Sequence, residues 1–443
     1  MNLRPYQKQA IQSLRANFKQ GKKAVLLCIP TGGGKTVIFT TIAKNAIIKG
    51  AKVMIVCDRK ELINQAKYNL NLLGLNPTII APGYPQDPNN CYLASVDTLR
   101  RRGLPEVDIV IMDEAHKQTF DKVIFKYRED FQDPFFIGAT ATPVRTGSQG
   151  ALSGYYDAIV EPVTIADLLK DGYLVPCRTF AAKIDLSEVK ITGGDYNSGD
   201  LYKEFNKSSL YAGLVDHWEK FAKGKKTLIF NVNVEHSIKT VEALTAAGYN
   251  AKHLDGKTPD KKRAQILADF KEGKFNILSN CSVLTTGYDE PSIEAIIVNR
   301  ATKSLPLWLQ MCGRGSRTFE GKKDFTVIDM GANCYEHGLW EDGREWQLEK
   351  KRRKSLGVAP VKICDSCEAM NPVSARICND CGEPFKIKKK ELLEAEFTEV
   401  KSNRGGAVKF EPRGKSKTEL HEHAKKMGYS NGWAHVQYSL HNK

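Results

Sequence analysis

The chain has 443 residues, 41% of them apolar, and carries a formal net charge of +15 with a pI near 9.1. That length holds two or three domains, and the apolar fraction suits buried α/β cores. No run of eighteen apolar residues is present to span a bilayer, and no apolar signal core follows Met1–Arg4, so membrane and secreted classes are set aside and an intracellular, cytoplasmic protein is expected. The basic surplus fits a polyanionic partner, nucleic acid first.

In chain order, Ala24–Ile29 reads as a strand, Lys35–Lys49 as a helix, Lys52–Cys57 as a strand and Arg59–Leu73 as a helix. Strands follow at Cys91–Ser95, Val107–Met112 and Phe135–Gly138. The alternation then repeats. Strands are expected at Thr227–Phe230, Ala251–Leu254, Phe275–Ser279, Ala295–Val298 and Phe325–Ile328, with helices at Lys261–Lys271 and Leu305–Met311. Strands alternating with helices imply two parallel sheets, each covered on both faces. The join lies near Asp171–Pro176, and the polar, glycine-rich stretch Thr192–Ser209 reads as a loop or small accessory insertion. The expected boundaries are 1–170 and 171–345 for the two lobes (insertion 190–209), 346–362 for a basic linker, 363–385 for a cysteine module and 386–443 for a basic tail. In that tail, Lys417–Leu440 reads as two short helices about Gly428–Gly432.

Pro30-Thr31-Gly32-Gly33-Gly34-Lys35-Thr36 lies between a strand and a helix, the setting a phosphate loop requires. Glycines let backbone N–H groups close on phosphates, and the helix N-terminus adds its positive end. Lys35 is placed to reach the β- and γ-phosphates of ATP, and Thr36 to hold Mg²⁺. The usual first glycine is Ile29 here. The strand Val107–Met112 delivers Asp113 and Glu114 beside that loop, Asp113 for Mg²⁺ through water and Glu114 for the attacking water.

With Asp113-Glu114-Ala115-His116 in place, the chain resembles superfamily 2 helicases of the DEAH type, over roughly residues 1–335. The resemblance implies two tandem RecA-like lobes. It places adenine recognition on Arg4-Pro5-Tyr6-Gln7, with Gln7 reading the base edge. It gives strand-contacting roles to Asp58–Leu62 and Ser95–Leu99, and coupling of hydrolysis to lobe movement to Gly138–Pro143, through His116, Thr140 and Thr142. Leu284–Asp289 resembles the family's motif V, adding Gly287 and Asp289 to the nucleotide site, and Gln310–Arg317 resembles motif VI. Arg314 and Arg317 are expected on one helical face, pointing at the γ-phosphate with Gln310 one turn earlier. Arg59, Ser95 and Thr285 are candidate contacts to the nucleic-acid backbone, with helix capping or a surface role as the alternative. RPYQ, TGGDY, LTTGYDEP, QMCGRGSR and cysteine pairs after the second lobe resemble the RadD-like DNA helicases, including phage and prophage relatives. That resemblance implies work on forked or branched DNA in replication, recombination or repair, with single-strand-binding or recombination proteins as candidate partners. One chain carries both lobes, so a monomer suffices.

Of eleven cysteines, seven stand singly, mostly in or beside apolar runs (Cys28, Cys57 and Cys281 among them), and read as buried free thiols. Cys364, Cys367, Cys378 and Cys381 form two C-x-x-C pairs ten residues apart, which suits tetrahedral Zn²⁺ in a small ribbon. A redox pair is the rival, and would want a thioredoxin-like setting that is not read here. The runs Lys350–Lys354 and Lys386–Lys390 suggest phosphate contact near a duplex branch, or only a solvated linker. Tyr429, Trp433, His435 and Tyr438 suit base stacking or the core of a helical hairpin. The functional rivals are an RNA helicase, a non-enzymatic scaffold and a restriction-type motor subunit. QMCGRGSR and TATP differ from the HRIGR and SAT of DEAD-box RNA helicases, and Lys35, Glu114 and Arg317 argue against a scaffold.

Overall fold

The computed structural model describes residues 3–130, 134–145, 150–181, 184, 186–349, 361–385 and 416–427. The first apolar runs become a parallel sheet wrapped by helices. In order these are α1 (Pro5–Lys19), β1 (Ala24–Cys28), α2 (Lys35–Ile47), β2 (Val53–Cys57), α3 (Lys60–Leu72), β3 (Thr78–Ile80) and β4 (Cys91–Ser95). Then come α4 (Val96–Arg102), β5 (Ile109–Asp113), α5 (Asp121–Asp130), β6 (Phe135–Thr140), β7 (Ala158–Val160) and α6 (Ile165–Lys170). The second lobe runs β8 (Cys177–Ala181), β9 (Ile191–Thr192), β10 (Asp195–Tyr196), α7 (Ser198–Phe205), α8 (Ser208–Ala222), β11 (Thr227–Asn231), α9 (Val234–Ala246) and β12 (Ala251–Leu254). It continues through α10 (Asp260–Lys271), β13 (Ile277–Asn280), β14 (Ala295–Asn299), α11 (Leu305–Cys312), β15 (Phe325–Asp329) and α12 (Asn333–His337). A two-stranded ribbon, β16 (Val361–Ile363) with β17 (Met370–Pro372), frames the cysteines. Residues 386–443 form a separate unit, in which helix α13 (Lys417–Met427) is described.

The first sheet has the order β3-β4-β2-β5-β6-β1-β7 and the second β12-β13-β11-β14-β15-β8, every pairing parallel. This is the RecA-like pair of lobes. β1, β2, β11 and β14 are buried along their whole length, as strands covered by helices on both faces must be. In such sheets ligands bind beyond the carboxyl ends of the strands. Because β5, β6 and β1 are neighbours, the turns after them fall side by side.

Of the two readings of Thr192–Ser209, a loop or a small accessory insertion, the structure has the second, an ordered hairpin and helix. Gly193 and Gly194, with φ of 62° and 90°, form the tight turn of the β9–β10 hairpin, a conformation other residues resist. Helix α7 follows, capped by Asn197, and buries Leu201 and Phe205 against Trp218 and Ile229 of the second lobe. The hairpin is useful to the lobe: Asp195 accepts from Thr302 Oγ1 at 2.7 Å and from the Lys303 N–H at 2.6 Å. Strands β3, β7 and β8 were not expected. They are short or half-exposed edge strands, without the continuous apolar run that betrays a central one.

Among the described residues no helix is long and apolar enough to cross a membrane. All eleven cysteines are free, with Cys28 and Cys57 buried as expected and Cys281 only half-buried. The basic runs Lys350–Lys354 and Lys386–Lys390 lie outside the described residues, as do Gly428–Gly432, Tyr429, Trp433, His435, Tyr438 and the second tail helix.

Candidate nucleotide site between the lobes

The phosphate loop leaves β1 at Cys28, and Ile29 is fully buried, so the position that usually holds a glycine is core here. Gly34 caps α2 with φ 77°, and a Cβ there would meet Gln7 Nε2 at 2.7 Å, so only glycine closes the loop onto α1. Helix α1 docks by its first turn. Tyr6 O–H donates to the Gly33 carbonyl at 2.9 Å, and Gln7 Nε2 reaches the same oxygen at 3.4 Å. Gln7 Oε1 in turn accepts the Arg4 N–H at 2.9 Å. The Gln7 amide therefore touches the loop through Nε2 and caps α1 through Oε1, with one N–H and one lone pair left over for a base edge. The Arg4 guanidinium lies 4.2 Å from the ring centroid of Tyr173, a residue of the inter-lobe join.

Asp113 ends β5 and Glu114 follows with φ 55°, a strained backbone for a non-glycine residue. Both residues are at most 5% exposed. Burial, aided by the neighbouring Glu114 charge, pushes the Asp113 carboxyl up to about 7. Burial also acts against an ionised Glu114, but Lys35, His116, Lys117 and Arg314 outweigh it and hold its carboxyl below the usual range. Lys35 Nζ is 3.9 Å from Glu114 Oε1. His116 Nδ1 lies 3.5 Å from Glu114 Oε2 and 2.7 Å from Thr140 Oγ1, which also accepts the Thr142 N–H at 3.1 Å. Burial pushes His116 down to about 4, against the pull of the Glu114 carboxylate. His116, Thr140 and Thr142, the residues expected to couple hydrolysis to movement, thus form one chain of contacts from Glu114 to the end of β6.

The second lobe enters through α11. Gln310 Nε2 donates to Glu114 Oε2 at 3.2 Å, joining the lobes at the carboxylate itself. Arg314 and Arg317 do not share a helical face as expected. The helix stops at Cys312, Gly313 caps it, and the chain opens into a loop in which Arg317 bridges Leu174. The glycines allow that exit: a Cβ on Gly313 would meet Thr31 of the phosphate loop at 2.8 Å. Both guanidinium groups still reach the cleft. Arg314 Nη1 donates to the Tyr288 carbonyl at 2.5 Å, and Arg317 Nε lies 2.9 Å from Asp289 Oδ1. Asp289 is therefore an arginine partner, and Gly287 (φ 79°) shapes the turn before it. Arg317 Cγ is 3.7 Å from where a Cβ on Gly32 would sit, so this side chain lies against the phosphate loop. Arg314 Nε and Arg317 Nη1 are buried without an acceptor. Burial, with Arg317 nearby, pushes Arg314 down to about 9. Two guanidiniums crowded at such cost, with N–H groups to spare beside a phosphate loop, suit a polyanionic triphosphate.

The proposed backbone contacts divide. Ser95 caps α4 by position, but its hydroxyl makes no cap hydrogen bond and is half-exposed. Arg59 Nη1 donates across the lobes to the Ser282 carbonyl at 3.3 Å. Thr285 is 5% exposed and its hydroxyl donates to the same carbonyl at 2.9 Å, so it is engaged internally.

A supporting ion pair was not legible in the sequence. Arg145 donates to Asp121 Oδ2 at 3.1 Å and Oδ1 at 2.5 Å, and its Nε to the His116 carbonyl at 2.9 Å, with both residues under 9% exposed. Its only signal was an arginine two residues past TATP. Arg145→Met strands the Asp121 charge and is expected to cost about 3–5 kcal/mol in denaturant unfolding. An unchanged midpoint would remove the pair from the account.

Behind the second lobe, Cys364 and Cys381 place their sulfurs 3.7 Å apart and Cys367 and Cys378 3.6 Å apart, all four within 4.8 Å of one another. Tetrahedral zinc with four sulfurs separates them by about 3.8 Å, so the four thiols fit that ion. Residues 361–385 hold two basic side chains (Lys362, Arg376) and four acidic ones (Asp365, Glu368, Asp380, Glu383), so the ribbon itself is acidic. Two of its acids pair with the second lobe, Glu368 with Lys220 at 2.5 Å and Asp380 with Arg178 of β8.

Comparison with known proteins agrees with this arrangement. The family model of the type III restriction enzyme res subunit matches residues 1–145, and the helicase conserved C-terminal domain matches residues 209–318. A 51.5 kDa protein of a Lactococcus phage (isolate 7-9) is 31% identical over 383 residues, covering 83% of this chain and 80% of that protein. A Schizosaccharomyces pombe protein, named as a mitochondrial ATP-dependent helicase irc3, is 31% identical over 353 residues, covering 74% of this chain but 57% of its own length. The fragment structure of a Vibrio vulnificus protein named as an HsdR subunit of a type I restriction enzyme shares the fold at a TM-score of 0.60 and 22% identity, covering 75% of this chain and 65% of that one. The chain belongs to the superfamily 2 helicases, with a res-subunit lobe and a helicase C-terminal lobe, and is an ATP-hydrolysing motor of that family.

Proposed function

We propose that this motor works on DNA, using hydrolysis between its lobes to translocate and to open or remodel forked or branched DNA, as RadD-like helicases would. The observation that carries the hydrolytic part is the Lys35–Glu114–Gln310 contact, which joins both lobes at one buried carboxylate. In this reading Thr31–Gly34 and Lys35 hold the phosphates, and Arg4 and Gln7 lie at the base. Glu114 takes up the proton of the attacking water, and Gln310 orients it. Arg314 and Arg317 meet the charge that spreads over the γ-phosphate oxygens.

Thr36 and Asp113 would hold Mg²⁺. Two buried carboxyls side by side are costly unless a cation compensates them, and a divalent ion there supplies charge neutralisation at the β- and γ-oxygens. Zinc in the four cysteines would supply folding energy to the ribbon and, with no open ligand position, no chemistry.

His116, Thr140 and Thr142 would pass the state of the site to β6, and opening of the cleft would move the backbone contacts Ser95 and Arg59 against Thr285 and its turn. The net charge of +15 favours a phosphodiester track. The res-subunit match and the motif VI and TATP strings favour DNA over RNA. The same match supports a second reading, a motor that joins a restriction-type complex. Steady-state ATPase at fixed moderate salt with single-stranded, forked or duplex DNA, or single-stranded RNA, separates these readings. We expect the largest stimulation from forked DNA. Stimulation by RNA alone overturns the DNA reading, and stimulation by duplex alone favours the restriction-type motor.

A further inference from the structure

Lys322 lies between the arginine loop and β15, and its ammonium has three main-chain partners. It donates to the carbonyls of Gly315 at 2.6 Å, Ile293 at 2.5 Å and Pro291 at 3.0 Å. An ammonium has three donors and no acceptor, so these carbonyls saturate it. Their places in the chain are informative. Gly315 is the middle of the loop that carries Arg314 and Arg317, while Pro291 and Ile293 follow Asp289, the carboxylate on Arg317. One side chain therefore ties the segment bearing the arginines to the segment bearing their acid partner.

The loop also packs on β15: a Cβ on Gly315 would meet the Phe325 ring at 2.4 Å, so this peptide is in close contact with that strand. Lys322 is itself half-buried. Burial pushes its ammonium down to about 8, with Glu294 pulling up, Arg317 down, and Glu290 and Asp324 up. A half-buried ammonium satisfied by three carbonyls keeps its place through those bonds, and losing it leaves three acceptors to find new partners.

We propose that Lys322 is a positioning residue for ATP hydrolysis, tying Gly315 to Pro291 and Ile293 so that Arg314 and Arg317 stay in register with Asp289 at the nucleotide. This rests on the reading of the two arginines as the groups that meet the γ-phosphate. Transition-state stabilisation by fixed charges depends on their being in place before the reaction, and a displacement of about 1 Å is enough to cost about 10²-fold in rate.

The test compares full-length wild type, Lys322→Met, Lys322→Arg and Arg317→Ala by DNA-stimulated ATPase, with thermal unfolding followed in parallel. Lys322→Met is expected to lower kcat by about 10–10²-fold with KM for ATP changed less than about threefold, because phosphate-loop binding is untouched. Tight binding of ADP–aluminium fluoride should weaken by the same factor as kcat falls, a change a merely structural lesion would not track. Should Lys322→Met fail to fold, Lys322→Arg keeps the charge in place, and its kcat is expected between wild type and Arg317→Ala at unchanged KM. A folded Lys322→Met or Lys322→Arg with wild-type kcat and analogue affinity overturns the proposal. So does a rise in KM at constant kcat. If Arg317→Ala itself keeps full turnover, the reading of the arginines fails first, a result distinct from failure at Lys322.

Discussion

Glu114→Gln should lower ATP turnover by about 10²–10⁴-fold while leaving nucleotide binding near wild type. The substitution keeps the side chain's size, so the fold around β5 is preserved, but it removes the negative charge that three neighbours converge on. Lys35 at 3.9 Å, His116 at 3.5 Å and Gln310 at 3.2 Å all approach this carboxyl. The neutral amide cannot take a proton from water. Its surroundings hold the wild-type carboxyl below the usual carboxylate range, so it remains ionised at neutral pH. Steady-state turnover measured beside binding of a fluorescent ATP analogue checks this. Lost binding with the lost turnover would make Glu114 a binding group, and undiminished turnover would move the chemistry elsewhere.

The second large effect concerns the four cysteines. Cys364→Ser should reduce metal content by atomic emission from about one zinc per chain to near none. The ribbon should then lose its order, since structural zinc contributes on the order of 10 kcal/mol to modules of this size. Hydrogen exchange should show β16 and β17 opening while β11 and β14 stay protected, because those strands are buried in the second lobe's own core. Wild type without zinc, or a variant that retains it, removes the metal site. Exchange that spreads into β11 would show that the ribbon braces the lobe instead of leaning on it.

The phosphate loop and the acidic pair could be read from the chain because their chemistry demands neighbours in sequence: a strand, three glycines, a lysine, then a strand ending in two acids. The central strands were legible for a related reason. Burial on both faces leaves an apolar run with little else to mean, as in Val53–Cys57 and Ala295–Asn299. What stayed hidden depends on residues distant in sequence. The Arg145–Asp121 pair spans 24 positions and Gln310–Glu114 spans 196, and neither residue type announces a partner. The helical placement of Arg314 and Arg317 went wrong because a three-residue spacing suits a helix and a loop equally, and the glycines at 313 and 315 decided for the loop. Thr192–Ser209 left two readings open, a loop or a small accessory insertion. Its polar, glycine-rich composition is that of a loop, yet two of its glycines make a hairpin turn and its few apolar residues suffice to seat a helix.

Leu174 belongs to the join between the lobes, bridges Arg317, and rests with Cδ2 2.8 Å from where a Cβ on Gly32 would stand. The glycine is thus answerable to two masters, phosphate on one side and the partner lobe on the other. Any side chain at position 32 would have to displace Leu174 and would still meet a φ of 85°. A lineage that lost its catalysis but kept its two-lobed shape would still be constrained at Gly32, so survival of that glycine in a relative is poor evidence that the relative still burns ATP.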